Sequence, residues 1–202
     1  MIEKCNKKYA NLVQNGLLIF NSYENFNNSL FKHSFQSFNG GIFKSKFYVD
    51  KSINKLITIK NVDDNGFNTD SVSYLDSDKI DQKYLLYVGD ILLTMTGNIG
   101  RCGIVDEDNC YLNQRVLLLK SKSNLYLFCF LLKYKANIVL LGKGTAQLNL
   151  SLEDLNKLKV KNSMCEIKSF NKYDCIFDNL VNIKLQIKKL KQIKQLLLLK
   201  YF

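Results

Sequence analysis

The sequence predicts an α+β protein: a globular domain with a mixed β-sheet and short helices over residues 1–162, then one long C-terminal coiled-coil helix over residues 163–202. Three observations carry this prediction. Two strand-like runs, Asp90 to Thr94 and Arg115 to Lys120, are separated by glycine-rich and Asn/Asp-rich turn chemistry. The stretch from Leu125 to about Leu141 is apolar and of helical length. From Ser163 to the end no Gly or Pro interrupts the chain, and apolar residues recur by threes and fours.

Taken in order, residues 1–60 are rich in Asn, Ser, Lys and Phe with little clean periodicity, which predicts loops and short strands rather than helices. Within them Lys55 to Lys60 (KLITIK) alternates in part and reads as a strand. Residues 62–90 are acidic, with seven Asp against Lys79 and Lys83. After the two central strands, Ser123 or Asn124 is placed to cap the helix from Leu125, and Gly142 to end it. Ser151-Leu-Glu-Asp154 reads as the start of another short helix. Ser163 and Glu166 fit a capping box, in which side chains and free amides at a helix start satisfy each other.

The tail carries a heptad seam of Ile176, Leu180, Ile183, Ile187, Leu190 and Leu197, with Lys194 in one core slot. A continuous helix here is a rod of about 55 Å, longer than a domain of about 160 residues, whose radius of gyration is about 15 Å. The seam is therefore expected to find a second helix, from another copy or from a partner. Eight Lys against three acids make the outer face of this segment basic.

Charge and rare residues narrow the function. The 202 residues carry +11, with a pI near 9.3, which favours a polyanionic partner. One histidine, His33, leaves few ways to build a nucleophile–His pair and excludes His-rich metal sites. The six cysteines contain no C-x2-C pair, so they read as reduced thiols of a cytoplasmic protein. No signal peptide is evident, and the longest apolar run, Leu125 to Leu132, is too short to span a bilayer. The acid clusters Asp63-Asp64 and Asp106-Glu107-Asp108 sit in turn sequence, where solvated Asp is expected. Thr94 to Gly100 (TMTGNIG) lacks the GK[ST] ending of a phosphate loop and the G-x-G-x-x-G spacing of a dinucleotide fold. No catalytic residues, no metal site and no bound cofactor are expected, which points to a binding protein.

Gly89 to Gly100 (GDILLTMTGNIG), Ile104-Val-Asp106 and Asn113-Gln-Arg-Val116 together resemble the target-recognition domain of type I restriction–modification specificity subunits. The second block, Gly142 to Ser151 (GKGTAQLNLS) followed by Leu155 and Leu158, is similar to that family's G-T-A-Q-x-N-[IL]-S signature, and the tail is similar to its spacer helix. The resemblance runs from about Leu56 to the C-terminus. Leu148 and Lys161-Asn162 stand where the family usually has proline. Family members typically hold two recognition domains and two spacer helices; this sequence shows one of each and looks like a half-subunit.

The resemblance implies double-stranded DNA as ligand and methyltransferase subunits as partners, with restriction subunits a further partner class. S-adenosylmethionine and ATP are then expected only on those subunits. Candidate DNA-contacting residues are Lys44, Lys46, Tyr48, Lys51, Lys55, Thr94, Asn98, Arg101, Lys143 and Gln147. For Thr94, Gly97 and Gly100 a tight turn competes with DNA contact. Asn113, Gln114, Thr145, Asn149 and Ser151 are assigned to structural capping or partner contact, since residues shared by subunits of different specificity should not choose the sequence. Two copies pairing their helices antiparallel would read an inverted repeat. The rival readings are a coiled-coil interaction protein that reads no DNA, such as a decayed fragment or a titrator of methyltransferase subunits, and a basic RNA-binding protein.

Overall fold

A computed structural model describes residues 1–23, 29–76, 80–145 and 147–201. Asp78 and Lys79 of the acidic stretch, Ala146 of the second motif and Phe202 lie outside the described residues. The elements in chain order are α1 (Ile2–Ser22), β1 (Ser29–Leu30), α2 (Phe31–Ser34), β2 (Gln36–Asn39), β3 (Tyr48–Val49), β4 (Lys55–Ile57), β5 (Val62–Asp63), β6 (Gly66–Phe67), β7 (Ser73–Leu75), β8 (Leu85–Leu86), β9 (Ile91–Thr94) and β10 (Cys102–Ile104). They continue with β11 (Cys110–Leu112), β12 (Val116–Lys120), α3 (Asn124–Lys133), α4 (Lys135–Leu140), α5 (Leu152–Asn156), β13 (Lys159–Val160), α6 (Met164–Ser169) and α7 (Asp174–Tyr201).

The architecture is mixed α+β. A four-stranded antiparallel sheet of order β10-β9-β12-β2 forms the middle layer. Its central strands β9 and β12 are apolar on both faces, because both are covered. Ile91, Leu93, Leu117 and Leu119 face the helical layer, whereas Leu92, Val116 and Leu118 face Ile57, Leu86 and Leu112 of the second sheet. That second sheet has order β3-β7-β4-β11-β8, with β4 and β11 parallel and the other pairs antiparallel. On the helical side α3 is buried all round from Leu125 to Leu131, as a helix enclosed by a sheet and other helices must be.

Three expectations are corrected. The first twenty-odd residues are not loops but the 21-residue helix α1. Its half-buried and buried positions Tyr9, Leu12, Val13, Gly16 and Phe20 recur at helical spacing and pack on α3 and α7. The Leu125–Leu141 helix is two helices, α3 and α4, broken at Tyr134. The tail is not one rod. Ser163 and Glu166 do form the capping box, but a 3-10 turn at Phe170–Tyr173 separates α6 from α7, and Phe170 turns wholly into the core. The 28 residues of α7 make a helix of about 42 Å.

The joint between the tail and the rest is polar and specific. Asp174, opening α7, accepts from the Ser123 hydroxyl at 2.5 Å and from the amides of Asn124 and Leu125 at 3.0 and 3.1 Å. One helix thus supplies the carboxylate that caps the positive end of another. Asn162, fully buried, accepts from the Tyr126 hydroxyl at 2.9 Å and donates to the Tyr23 carbonyl at 2.9 Å. The residue standing in place of proline therefore joins the end of α1 to α3.

Candidate nucleic-acid interface

Strands β2, β4, β9 and β11 end, and β10 and β12 begin, at one edge of the sheets. The turns at that edge are joined backbone to backbone. The Gly41 amide donates to Leu112, the Gln114 amide to Gly41, the Asn113 amide to Ile57 and the Met95 amide to Arg115, at 2.8 to 3.1 Å. The 142–150 loop is bound in the same way, through Gly97 to Leu148 and Leu150 to Met95, each at 2.8 Å. Five segments distant in sequence thus form one ridge.

The 94–101 turn is built by Thr94, which is 0% exposed. Its hydroxyl donates to the Asn98 carbonyl at 2.5 Å and accepts from the Arg101 amide at 3.1 Å. Gly97 and Gly100 adopt φ of 72° and 80°, a left-handed conformation that glycine takes without steric cost. Thr94 thus holds a tight turn and presents nothing to a ligand, while the Asn98 side chain at its tip is exposed.

Two further candidates are engaged elsewhere. Arg101 pairs with Asp64 at 2.7 Å, an acid it shares with Lys135 at 2.8 Å; their hydrogen bonds hold the Asp64 carboxyl below its ordinary range. Lys55 lies at the start of β4, away from the ridge, and pairs with Glu107 at 3.0 Å. Lys143 bonds Asp154 at 2.9 Å yet keeps a largely exposed side chain. Lys44, Lys46, Tyr48, Lys51 and Gln147 are exposed.

A groove of about 430 Å³ runs beside the ridge, lined by Phe43, Tyr48, Lys60, Ser73, Gln114 and Arg115. Lys60 and Arg115 were not singled out in the sequence. Lys60 is projected by a 3-10 turn that Thr58 and Asn61 cap reciprocally, so the T-x-x-N spacing was the available signal. Among the described residues neither Lys60, Arg115, Lys44 nor Lys46 has an ion-pair partner. Asn113, Asn149 and Ser151 make structural bonds: Asn113 bridges Gly41 and Asn149 bridges Thr96, and Ser151 caps α5 by accepting from the Asp154 amide at 3.0 Å. Thr145 and Gln114 are exposed.

Helix α7 crosses the opposite end of the sheets. Lys184 lies 3.1 Å from Asp106, and Lys188 pairs with Asp106 at 3.4 Å and with Glu107. Acids from the turn after β10 therefore neutralise part of the basic tail. Burial raises the Glu107 carboxyl, but hydrogen bonds from Lys188, Thr69 and Lys55 outweigh it and hold the group below its ordinary value. A depressed carboxyl stabilises the fold above its unfolded pKa and loses that contribution as pH falls through its folded one. Unfolding free energy should therefore fall more steeply below about pH 4.3 in the wild type than in Glu107→Gln, measured by denaturant titration.

Of the seam residues, Leu180 and Ile183 are buried within the chain itself, Ile176, Ile187 and Leu190 are half-buried, and Leu197 is exposed. Helix α1 of the same chain thus covers the first half of a seam expected to need a partner. Burial also pushes the thiols of Cys102, Cys110 and Cys129 up to about 12, whereas Cys165 and Cys175 are exposed. Among the described residues no cluster of His, Cys, Asp and Glu could hold a metal ion, and no helix is long and apolar enough to cross a membrane.

Compared with known families, residues 23–197 match the type I restriction modification DNA specificity domain. The chain belongs to that family. The match takes in almost everything except α1, and it reaches further toward the N-terminus than the motifs do. A specificity domain is the non-catalytic component of such a system. No curated protein matches the chain.

Solved structures share the fold. The type I restriction–modification S subunit from M. genitalium aligns with a TM-score of 0.50 at 16% identity, over 77% of this chain and 39% of that one. The HsdS subunit from Thermoanaerobacter tengcongensis aligns with a TM-score of 0.53 at 11% identity, over 95% and 49%. A chain from a study of complex assembly and conformational transition of the type I R-M system aligns with a TM-score of 0.56 at 11% identity, over 98% and 54%. The specificity domain here thus spans about half of those chains or less.

Proposed function

We propose that this specificity domain reads a duplex DNA sequence with its ridge and uses α7 as a spacer that sets the distance to a second recognition domain. The observation that carries the reading is the ridge itself: a rigid set of turns with Lys60 and Arg115 beside it, which have no ion-pair partner among the described residues, and with exposed Asn98 and Gln147. Cations without acid partners neutralise phosphates and fix register, and amide side chains distinguish base edges. Methyltransferase subunits, carrying S-adenosylmethionine, are the partners that modify the DNA so selected, and the cytoplasm is where they meet it.

The far end of α7 supports the spacer role. Leu196, Leu198, Leu199 and Tyr201 are exposed, and a groove of about 470 Å³ lies between Met1, Ile2, Leu190 and Ile193. An apolar helix end of this kind is covered by another helix. If that helix is a second copy arranged antiparallel, the two ridges lie at opposite ends and the target is an inverted repeat.

Binding of a random-sequence duplex pool across a salt series tests the reading. Lys60→Ala and Arg115→Ala should each weaken binding at every salt concentration and reduce the slope of log affinity against log salt by about 1. Lys189→Ala, exposed on α7 away from the ridge, should leave the slope unchanged. Equal effects from all three variants, or no duplex binding by the wild type, would overturn the assignment.

A further inference from the structure

Ile42 has no packing role that explains it. It is 74% exposed, yet the backbone on both sides is fixed. A Cβ on Gly40 would lie 2.2 Å from the Asn113 carbonyl oxygen, and one on Gly41 would lie 2.7 Å from the Tyr84 ring. The chain therefore presses against the 112–114 turn as only glycine allows. Gly41 is held there by donating to Leu112 and accepting from Gln114. On the other side the Phe43 ring meets Tyr84 edge-on at 5.8 Å. Ile42 is thus a rigidly mounted apolar side chain next to exposed Gln114 and Lys44, at the margin of the polar groove. It also falls in the part of the ridge outside the family motifs, where a residue that chooses sequence would lie.

An apolar group among polar readers has one partner on the base edges of the major groove, the thymine 5-methyl group. We infer that Ile42 is a specificity-determining residue that reads a thymine methyl, flanked by the polar contacts of the 113–115 turn. The inference rests on the duplex-reading assignment above and narrows it to one side chain and one base feature.

The full chain is used to select duplexes from a random-sequence pool, and each thymine of an enriched duplex is then replaced by uracil, which removes only the methyl group. One such replacement should weaken wild-type binding about fourfold, the effect of burying a single methyl group. Ile42→Ala should bind the thymine and uracil duplexes equally at that position, with an unchanged unfolding midpoint. Leu18→Ala, equally exposed in kind but on α1, should discriminate as the wild type does. Retained discrimination in Ile42→Ala, or a wild type indifferent to every replacement, overturns the inference while leaving duplex reading intact. A selection that enriches no sequence overturns sequence reading itself, and this inference with it.

Discussion

Phe170→Ala should lower the unfolding free energy by about 3–5 kcal/mol, the range for truncating a buried aromatic to alanine. The ring is 0% exposed and meets Tyr23, Tyr126 and Tyr173 at centroid distances of 5.1, 5.5 and 5.2 Å, with Phe20 at 6.4 Å. These partners come from α1, α3 and the turn before α7, so the cavity opens where three elements meet. Such a site cannot collapse without moving a helix, which places the cost toward the upper part of the range. Loss of edge-to-face ring contacts adds to it. The denaturant midpoint should fall with the m-value unchanged, and amide exchange should accelerate in α1 more than in β9 or β12. A loss below about 1 kcal/mol, typical of a surface position, would mean that the 170–173 turn is not part of the core and that α7 hangs free of the domain.

That turn also marks the limit of what the sequence discloses. The capping box at Ser163, the strands β9 and β12 and the short helix after Ser151 were legible because each is a local signal: a spacing, an alternation, a hydroxyl three residues before an acid. The break at Phe170 was not, because no Gly or Pro marks it and the weak helix formers from Ser169 to Cys175 do not by themselves end a helix; the helix gives way because an aromatic pocket across the chain takes the ring. Helix α1 was hidden by composition. Its apolar spacing is regular, but its Lys and Asn content continues into the sequence that follows, and Gly16 in its middle argues against a helix. Gly16 is there because α3 passes close: a Cβ would lie 3.1 Å from Leu125 and 3.3 Å from the Cys129 sulfur.

The candidate interface was legible to the same extent. The glycine turn and the Asn113–Arg115 turn stand out as motifs, and the structure puts both on one ridge. Which cations remain free on it is decided by pairs far apart in sequence. Arg101 is neutralised by Asp64 and Lys55 by Glu107, neither of which any local pattern announces, while Lys60 and Arg115 are left unpaired because no acid among the described residues reaches them. The same holds for the tail, whose basic charge reads as an outer face until Asp106 and Glu107 meet it.

Asp106→Ala should cost about 3 kcal/mol, because it removes one partner of a largely buried pair and leaves the other uncompensated. The Asp106 side chain is 10% exposed, and Lys184, 3.1 Å away, is 13% exposed. Lys184 has no other acid among the described residues, whereas Lys188 keeps Glu107, so the stranded charge is that of Lys184. Replacing both members, Asp106→Ala with Lys184→Met, should recover most of the loss, since methionine fills the same length without a charge to desolvate. The coupling between the two substitutions separates this account from simple damage to the turn after β10: equal costs of Asp106→Ala in the wild type and in Lys184→Met would remove the pair from the explanation. Because both groups are shielded, the cost should change little with added salt, unlike that of an exposed pair. The single substitution should also weaken the hold of α7 on the sheet end it crosses, leaving Lys188–Glu107 as its ion pair to that turn among the described residues. The ridge, at the other end of the same strands, should keep its duplex affinity. Reading and spacing would then be separable in one chain, with unfolding free energy reporting on the spacer and binding of the duplex pool reporting on the ridge.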